Sequence, residues 1–225
     1  MRKATTDYQS QGGHSALRVY NSTEDFNLHG VALTATEYLG ERCLCMAMPD
    51  SAIQDPEREQ LADRDFMAWV PLDFANGIIE AWVASDLIAN APSYARGFIG
   101  LTFRINNAGA FESIYLRPTN SVSDDQIRRN HSVQYVAFPD FRFDRLRRES
   151  PERYESYAEL ELNRWIKMKI VVNALRAELY LDDKEQPALI VTDLKLGESL
   201  GGVGVWLESG TIAYFRDLKI FTNGN

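Results

Sequence analysis

Along most of the chain, apolar and polar residues alternate with a period of two, the pattern of half-buried strands. At residues 99–105, Ile99, Leu101, Phe103 and Ile105 form one apolar row, and Phe98, Gly100, Thr102 and Arg104 fall on the opposite face. After an Asn-Asn-Ala-Gly turn at 106–109, Ile114 and Leu116 resume the apolar row while Ser113, Tyr115 and Arg117 face away. Similar runs extend from "ALRVYN" at 16–21 to "TIAYFRDLKIFT" at 211–222, and include "YAELEL" at 157–162. Helical periodicity is confined to two short stretches. One is 54–66, where Asp55 can cap, Pro56 takes the first helical position and Glu59 lies in the first turn; short and polar, it reads as a surface turn of helix between strands. The other is "DDQIRRNH" at 124–131.

Many short strands without interleaved helices predict an all-β protein, a two-sheet antiparallel jelly-roll β-sandwich with one or two short helices. No repeat, low-complexity tract or linker divides the chain, so residues 1–225 read as a single domain. The exception to regular spacing is 119–154. It is long for a loop and rich in Phe, Tyr and Arg, which predicts an ordered lid over the sandwich.

The outward rows differ in character. "RWIKMKIVVN" turns Lys167 and Lys169 to an ordinary solvated face. In "GIIEAWVAS" Glu80 and Trp82 point out, and in "GVGVWLES" Trp206 and Glu208 do. Combined with Arg104, Tyr115 and Arg117, these predict one concave sheet with an aromatic, arginine-rich face. Flat rings stack on the apolar faces of pyranoses and present contact area at little entropic cost, while Arg, Glu and Gln bond hydroxyls. The expected partner is therefore a saccharide or glycoside. Two alternatives stay open for the same face: Trp82 and Trp206 extend the core beneath the long segment, or the face serves as a protein-interaction domain.

"FANGIIEAWVAS", "ARGFIGLTFRI", "FESIYLRPTN" and the ending "GGVGVWLESGTIAYFRDLKI" resemble the concanavalin A-like lectin/glucanase superfamily, with its laminin G-like and 3-keto-disaccharide-hydrolase-like bacterial branches. The resemblance spans roughly 74–220 and implies a carbohydrate-facing concave sheet. It carries over no catalytic residues. The glucanases' E-x-D-x-E strand is missing, and Glu155, Glu159 and Glu161 of "YESYAELEL" do not reproduce it.

For chemistry, "RRNHSVQY" places His131 beside Arg129, Gln134 and Tyr135. An imidazole titrating near neutrality can act as general acid or base, and Arg or Tyr can stabilise developing negative charge. The alternative is a loop-stabilising network with Asp124 and Asp125. Glu80 and Glu208 are the carboxylates best matched by face for a glycosidase pair, whose spacing distinguishes retaining (~5–5.5 Å) from inverting (~6.5–9.5 Å) enzymes. Cleavage of a glycosidic bond, by hydrolysis or elimination and including oxidised sugars, is thus the enzymatic alternative to recognition alone.

Composition narrows the partners. With 24 basic and 32 acidic residues, the net charge of −8 argues against duplex nucleic acid and gives no reason to expect anionic membrane. No apolar run approaches the ~20 residues of a spanning helix. Residues 1–20 lack an apolar signal core, so a cytoplasmic chain is expected, or a secreted one if a signal peptide has been removed. Cys43 and Cys45 share a strand face, too constrained for an easy mutual disulfide, and are expected as packed thiols, with a metal or redox role the alternative. No metal or other cofactor is expected, apart from an option for structural calcium at "SDDQ" or "LDDKE". Phosphate-loop, nucleophile-elbow and HExxH motifs are absent.

Overall fold

The computed structural model describes residues 16–222, so most of the N-terminal stretch read for a targeting signal lies outside the described residues. In chain order the strands are β1 (Ala16–Tyr20), β2 (Asn27–His29), β3 (Ala32–Tyr38), β4 (Glu41–Ala47), β5 (Met67–Phe74), β6 (Gly77–Leu87), β7 (Ile99–Ile105) and β8 (Phe111–Leu116). Three short helices follow around one strand: α1 (Pro118–Ser121), α2 (Gln126–Asn130), β9 (Val133–Phe138) and α3 (Phe143–Glu149). The chain continues as β10 (Glu155–Ser156), β11 (Ile166–Asn173), β12 (Arg176–Leu181), β13 (Leu189–Val191), β14 (Gly201–Leu207) and β15 (Thr211–Thr222).

These strands form two antiparallel sheets, the expected β-sandwich. The first runs β13-β12-β11-β6-β15-β4-β3, with β1 paired to the far half of β15. A bulge between Arg216 and Lys219, with Asp217 at φ 54°, lets β15 serve β4 before it and β1 after it. The second sheet runs β10-β9-β8-β7-β14-β5-β2. Between the sheets, Ile79, Val83, Met168 and Ile170 of the first meet Leu101, Phe103, Ile114 and Val203 of the second, all fully buried. Each such apolar side chain contributes about 1.5–3 kcal/mol.

One local expectation is met over its first turn only, and two need correction. Residues 54–66 make only one turn, in which the Glu57 amide donates to the Asp55 carboxylate and the Glu59 amide to the Asp55 carbonyl. Beyond it the chain straightens, because Asp63 and Arg64 are drawn onto the second sheet by Tyr115 and Glu208. "YAELEL" beyond β10 is not a strand. Its amides find side chains instead of a ladder, Ala158 donating to Ser132 Oγ at 2.8 Å and Leu160 to Ser121 Oγ at 2.9 Å. The segment 119–154 is ordered, but it includes β9 within the second sheet, so only its helices overlie the sandwich.

The expected shared outer face divides between the two sheets. Glu80 and Trp82 lie on β6 in the first sheet, opposite Lys169 and Lys167 of the solvated row. Glu80 is 3.9 Å from Lys167 Nζ, and the Arg216 guanidinium carbon lies over Trp82, 5.0 Å from the indole's ring centre. Identical phase on β6 and β14 therefore does not join Glu80 to Glu208 or Trp82 to Trp206. Arg104 and Tyr135 face inward. The left-handed backbone at Arg104 (φ 55°) turns its side chain into the sandwich's end, where it donates to the carbonyls of Ala75, Ala174 and Gly197 and to Glu112. Tyr135 is register partner of the core residue Ile114, and its hydroxyl donates to Glu112.

Cys43 and Cys45 are unbridged, one buried and one half-buried. Asp125 caps α2; Asp182 holds Arg164 and the Lys167 amide, and Asp183 holds Lys167 Nζ. No helix among the described residues is long and apolar enough to cross a membrane.

Candidate functional site

The outer face of the second sheet carries a cleft of about 460 Å³. Its floor begins with a glycine. Gly100 of β7 is register partner of both Tyr115 on β8 and Trp206 on β14. A Cβ there would lie 2.4 Å from Tyr115 Cβ, so only glycine lets the two rings close over the strand, their centres 4.6 Å apart. Phe98 meets both rings edge-on. Both floor rings are fully buried, and Trp206 Nε1 donates to the Arg64 carbonyl. They support the cleft from below, and half-buried Tyr94, Phe98 and Phe143 line it with exposed ring surface.

The walls come from connecting segments. Gln54 binds both backbone groups of Ala62 at 2.9 Å, fastening one strap, and Tyr94 donates to the Gln54 carbonyl. Arg64 clamps Glu208, donating from its amide at 3.1 Å and its Nε at 3.3 Å to the same carboxylate oxygen. Opposite stand α2, carrying Ile127 and Arg128, and α3 with Phe143 and Arg147.

Arg117 organises the floor's polar half. Its guanidinium donates to the Tyr115 hydroxyl at 2.7 Å, to the His131 carbonyl at 3.1 Å and to Gln134 Oε1 at 3.3 Å. The Tyr115 hydroxyl in turn donates to Asp63 Oδ1 at 2.8 Å, and the Phe143 amide donates to Asp63 Oδ2 at 2.9 Å. Burial pushes the Asp63 carboxyl above its ordinary value, opposed by Arg117 and these two donors. Behind the floor, Glu155 accepts from Arg147 and stands 3.5 Å from both Arg117 Nη1 and His131 Nε2. Arg117 and Glu155 thus face opposite charge, and each oxygen of Asp63 has a donor, which offsets part of the cost of holding these groups away from water.

Burial lowers the His131 imidazole; Glu155 opposes the shift, and Arg147 and Arg117 reinforce it. The folded chain therefore favours neutral His131, whose folded-state value lies below the unfolded ~6.5. The associated stability is fully present above that unfolded value and is lost as pH falls through the folded one. Urea midpoints of wild type and His131→Gln, compared at pH 7.5 and pH 5, should show the wild type losing more stability on acidification. An equal loss in both would leave the imidazole unperturbed.

Of the residues singled out from sequence, Arg117, His131 and Glu208 line this cleft, while Tyr115, Trp206 and Gln134 lie beneath it. Arg129 does not line it. One residue further round α2 than Arg128, it reaches the Tyr157 hydroxyl instead. Asp63, Tyr94, Arg96, Asn120, Arg128 and Arg147 were not anticipated, and all lie outside the strands. Phe98 had a signal, since it shares the outward phase of Gly100.

No family model matches the sequence, and no curated protein matches it. Solved structures with similar folds do exist. Carbohydrate-binding module CBM66 from Bacillus subtilis aligns with a TM-score of 0.51 at 14% identity, over 86% of this chain and 97% of that one. A Bacillus subtilis protein of unknown function with a galectin-like fold gives 0.54 at 13% identity, covering 90% and 91%. A lectin from Bauhinia forficata in complex with GalNAc gives 0.51 at 11% identity, covering 94% and 99%. The fold is thus that of galectin-like and lectin β-sandwiches, as the sequence resemblance implied.

Proposed function

We propose that the cleft over the second sheet recognises a saccharide or glycoside. The observation that carries this reading is the composition of the cleft: Tyr94, Phe98 and Phe143 beside Gln54, Asn120, His131 and Arg128. Rings offer faces to a pyranose, and the amides, imidazole and guanidinium supply donors and acceptors for its hydroxyls. The volume lies in the range of small-ligand sites and suits one or two sugar rings. The similar folds include a carbohydrate-binding module and a lectin with bound GalNAc, which supports the same ligand class.

Recognition is preferred to bond cleavage because the cleft's two buried acidic groups, Glu208 and Asp63, are both engaged. Glu208 is held by Arg64 and the Ser209 amide, and Asp63 by Tyr115 and the Phe143 amide. Neither is left poised as the free member of an acid–base pair.

A glycan array followed by calorimetry on the hits tests the proposal. Phe143→Ala should weaken binding by about 30-fold, the scale of losing an aromatic anchor (~2 kcal/mol). Arg117 and Arg147 also lie over this ring, so the variant's melting curve must be recorded alongside. No binding to any glycan, or full affinity in the variant, would remove the cleft from saccharide recognition.

A further inference from the structure

The cleft's charged groups are not evenly satisfied. Its acidic side chains all have dedicated donors. Asp63 and Glu208 are held as described, and Asp125 accepts from the Ile127 and Arg128 amides. Two of its arginines lack any such counterpart. Among the described residues, neither Arg96 nor Arg128 has a carboxylate within 4.0 Å, although both line the cleft.

Arg96 spends one nitrogen, Nη1, on the Ser93 and Ala95 carbonyls at 2.7 and 2.8 Å. Arg128 is steadied through Nε, which donates to Asn120 Oδ1 at 2.9 Å, and more weakly through Nη2 to Thr119 Oγ1 at 3.4 Å. Asn120 is itself buried and anchored on the His131 carbonyl. Both guanidinium groups are therefore oriented by neutral acceptors and keep unspent N–H donors. Burial, then the positive charges of Arg128 and Arg117, holds Arg96 down to about 10. Like charges gathered in a half-enclosed space carry a standing cost that a bound anion would relieve.

We infer that the cleft selects an acidic saccharide, with a carboxylate of a uronate-type sugar seated between Arg96 and Arg128. This rests on the saccharide reading of the same cleft. The planar, fork-like guanidinium matches a carboxylate in bidentate geometry, which a hydroxyl cannot reproduce. The aromatic walls provide for the ring that carries it.

Matched pairs of oligosaccharides provide the test. Calorimetry would compare oligogalacturonate, oligoglucuronate and oligomannuronate with their carboxyl-reduced, neutral counterparts, at 50 and 500 mM NaCl. At least one acidic member should bind about 10-fold or more tightly than its neutral twin, as expected for charge-assisted hydrogen bonds, and the advantage should shrink at high salt. Arg96→Ala and Arg128→Ala should each bring the acidic-to-neutral ratio towards one, and the corresponding lysine variants should restore part of it. Equal binding of acidic and neutral members would overturn the acidic preference while leaving saccharide recognition intact. So would an acidic preference that both alanine variants retain. Absence of binding to every saccharide, acidic or neutral, would overturn the underlying reading as well.

Discussion

Replacing Arg104 with methionine should destabilise the protein by about 3–5 kcal/mol, the cost of stripping one partner from a buried ion pair. Its side chain is fully buried and lies 3.2 Å from the equally buried Glu112. The same guanidinium ties together the turn after β5 through Ala75, the turn after β11 through Ala174, and the loop before β14 through Gly197. Methionine fills part of the volume but returns none of these bonds. Burial already pushes the Glu112 carboxyl up against the pull of Tyr135 and Arg104, so loss of the guanidinium favours its protonated form. Arg104→Met combined with Glu112→Gln should consequently be less destabilised than the sum of the two single variants. Denaturant midpoints for all four proteins give the answer. A single-variant loss below about 1 kcal/mol would mean that the network contributes little.

Glu155→Ala should have an effect of similar size, about 3 kcal/mol, and should also damage the cleft. Arg117 would remain buried without its nearest carboxylate, and Arg147 would lose the contact that ties α3 to β10. Under the proposed saccharide reading, affinity should then fall by about 10-fold or more, because Phe143, on the same helix, lines the cleft. A spectroscopic readout separates this from simple loosening. Glu155 opposes the lowering of His131, so in Glu155→Gln, which keeps the shape, the imidazole should titrate lower still. An NMR titration in which the His131 value rises or stays in place would contradict the described pairing.

The alternation of Ile99, Leu101, Phe103 and Ile105 made β7 readable from sequence, and comparable rows did the same for most strands. Period two also set Trp206 and Glu208 on an outward face correctly. It could not say which sheet a row belongs to, since β6 and β14 obtain their neighbours by pairing with remote segments. Trp82 and Trp206 therefore looked like companions while lying on opposite sheets. Arg104 escaped because a left-handed residue breaks the alternation, and Tyr135 because both faces of β9 are covered. The capping signals at 55–59 describe a real turn, but tertiary contacts of Asp63 and Arg64 outweigh helix propagation beyond it. Arg96 and Arg128 sit in a loop and a short helix, where no periodicity marks a side chain as facing a cleft.

The strand order also constrains how the chain folds as it is made. The middle of one sheet needs β15 between β6 and β4, and the middle of the other needs β14 between β7 and β5. Both inserts come from residues 201–222, so the strands before them can form only part-sheets, β13-β12-β11-β6 and β10-β9-β8-β7, and separate pairs such as β3-β4 and β2-β5. Closing the large loops between β6 and β15 or between β5 and β14 costs entropy before any contact repays it, which places this topology among the slow folders. During that interval the rows bearing Leu101, Phe103 and Ile79 stand exposed as strand edges, the state most open to capture by chaperones or by another unfinished chain.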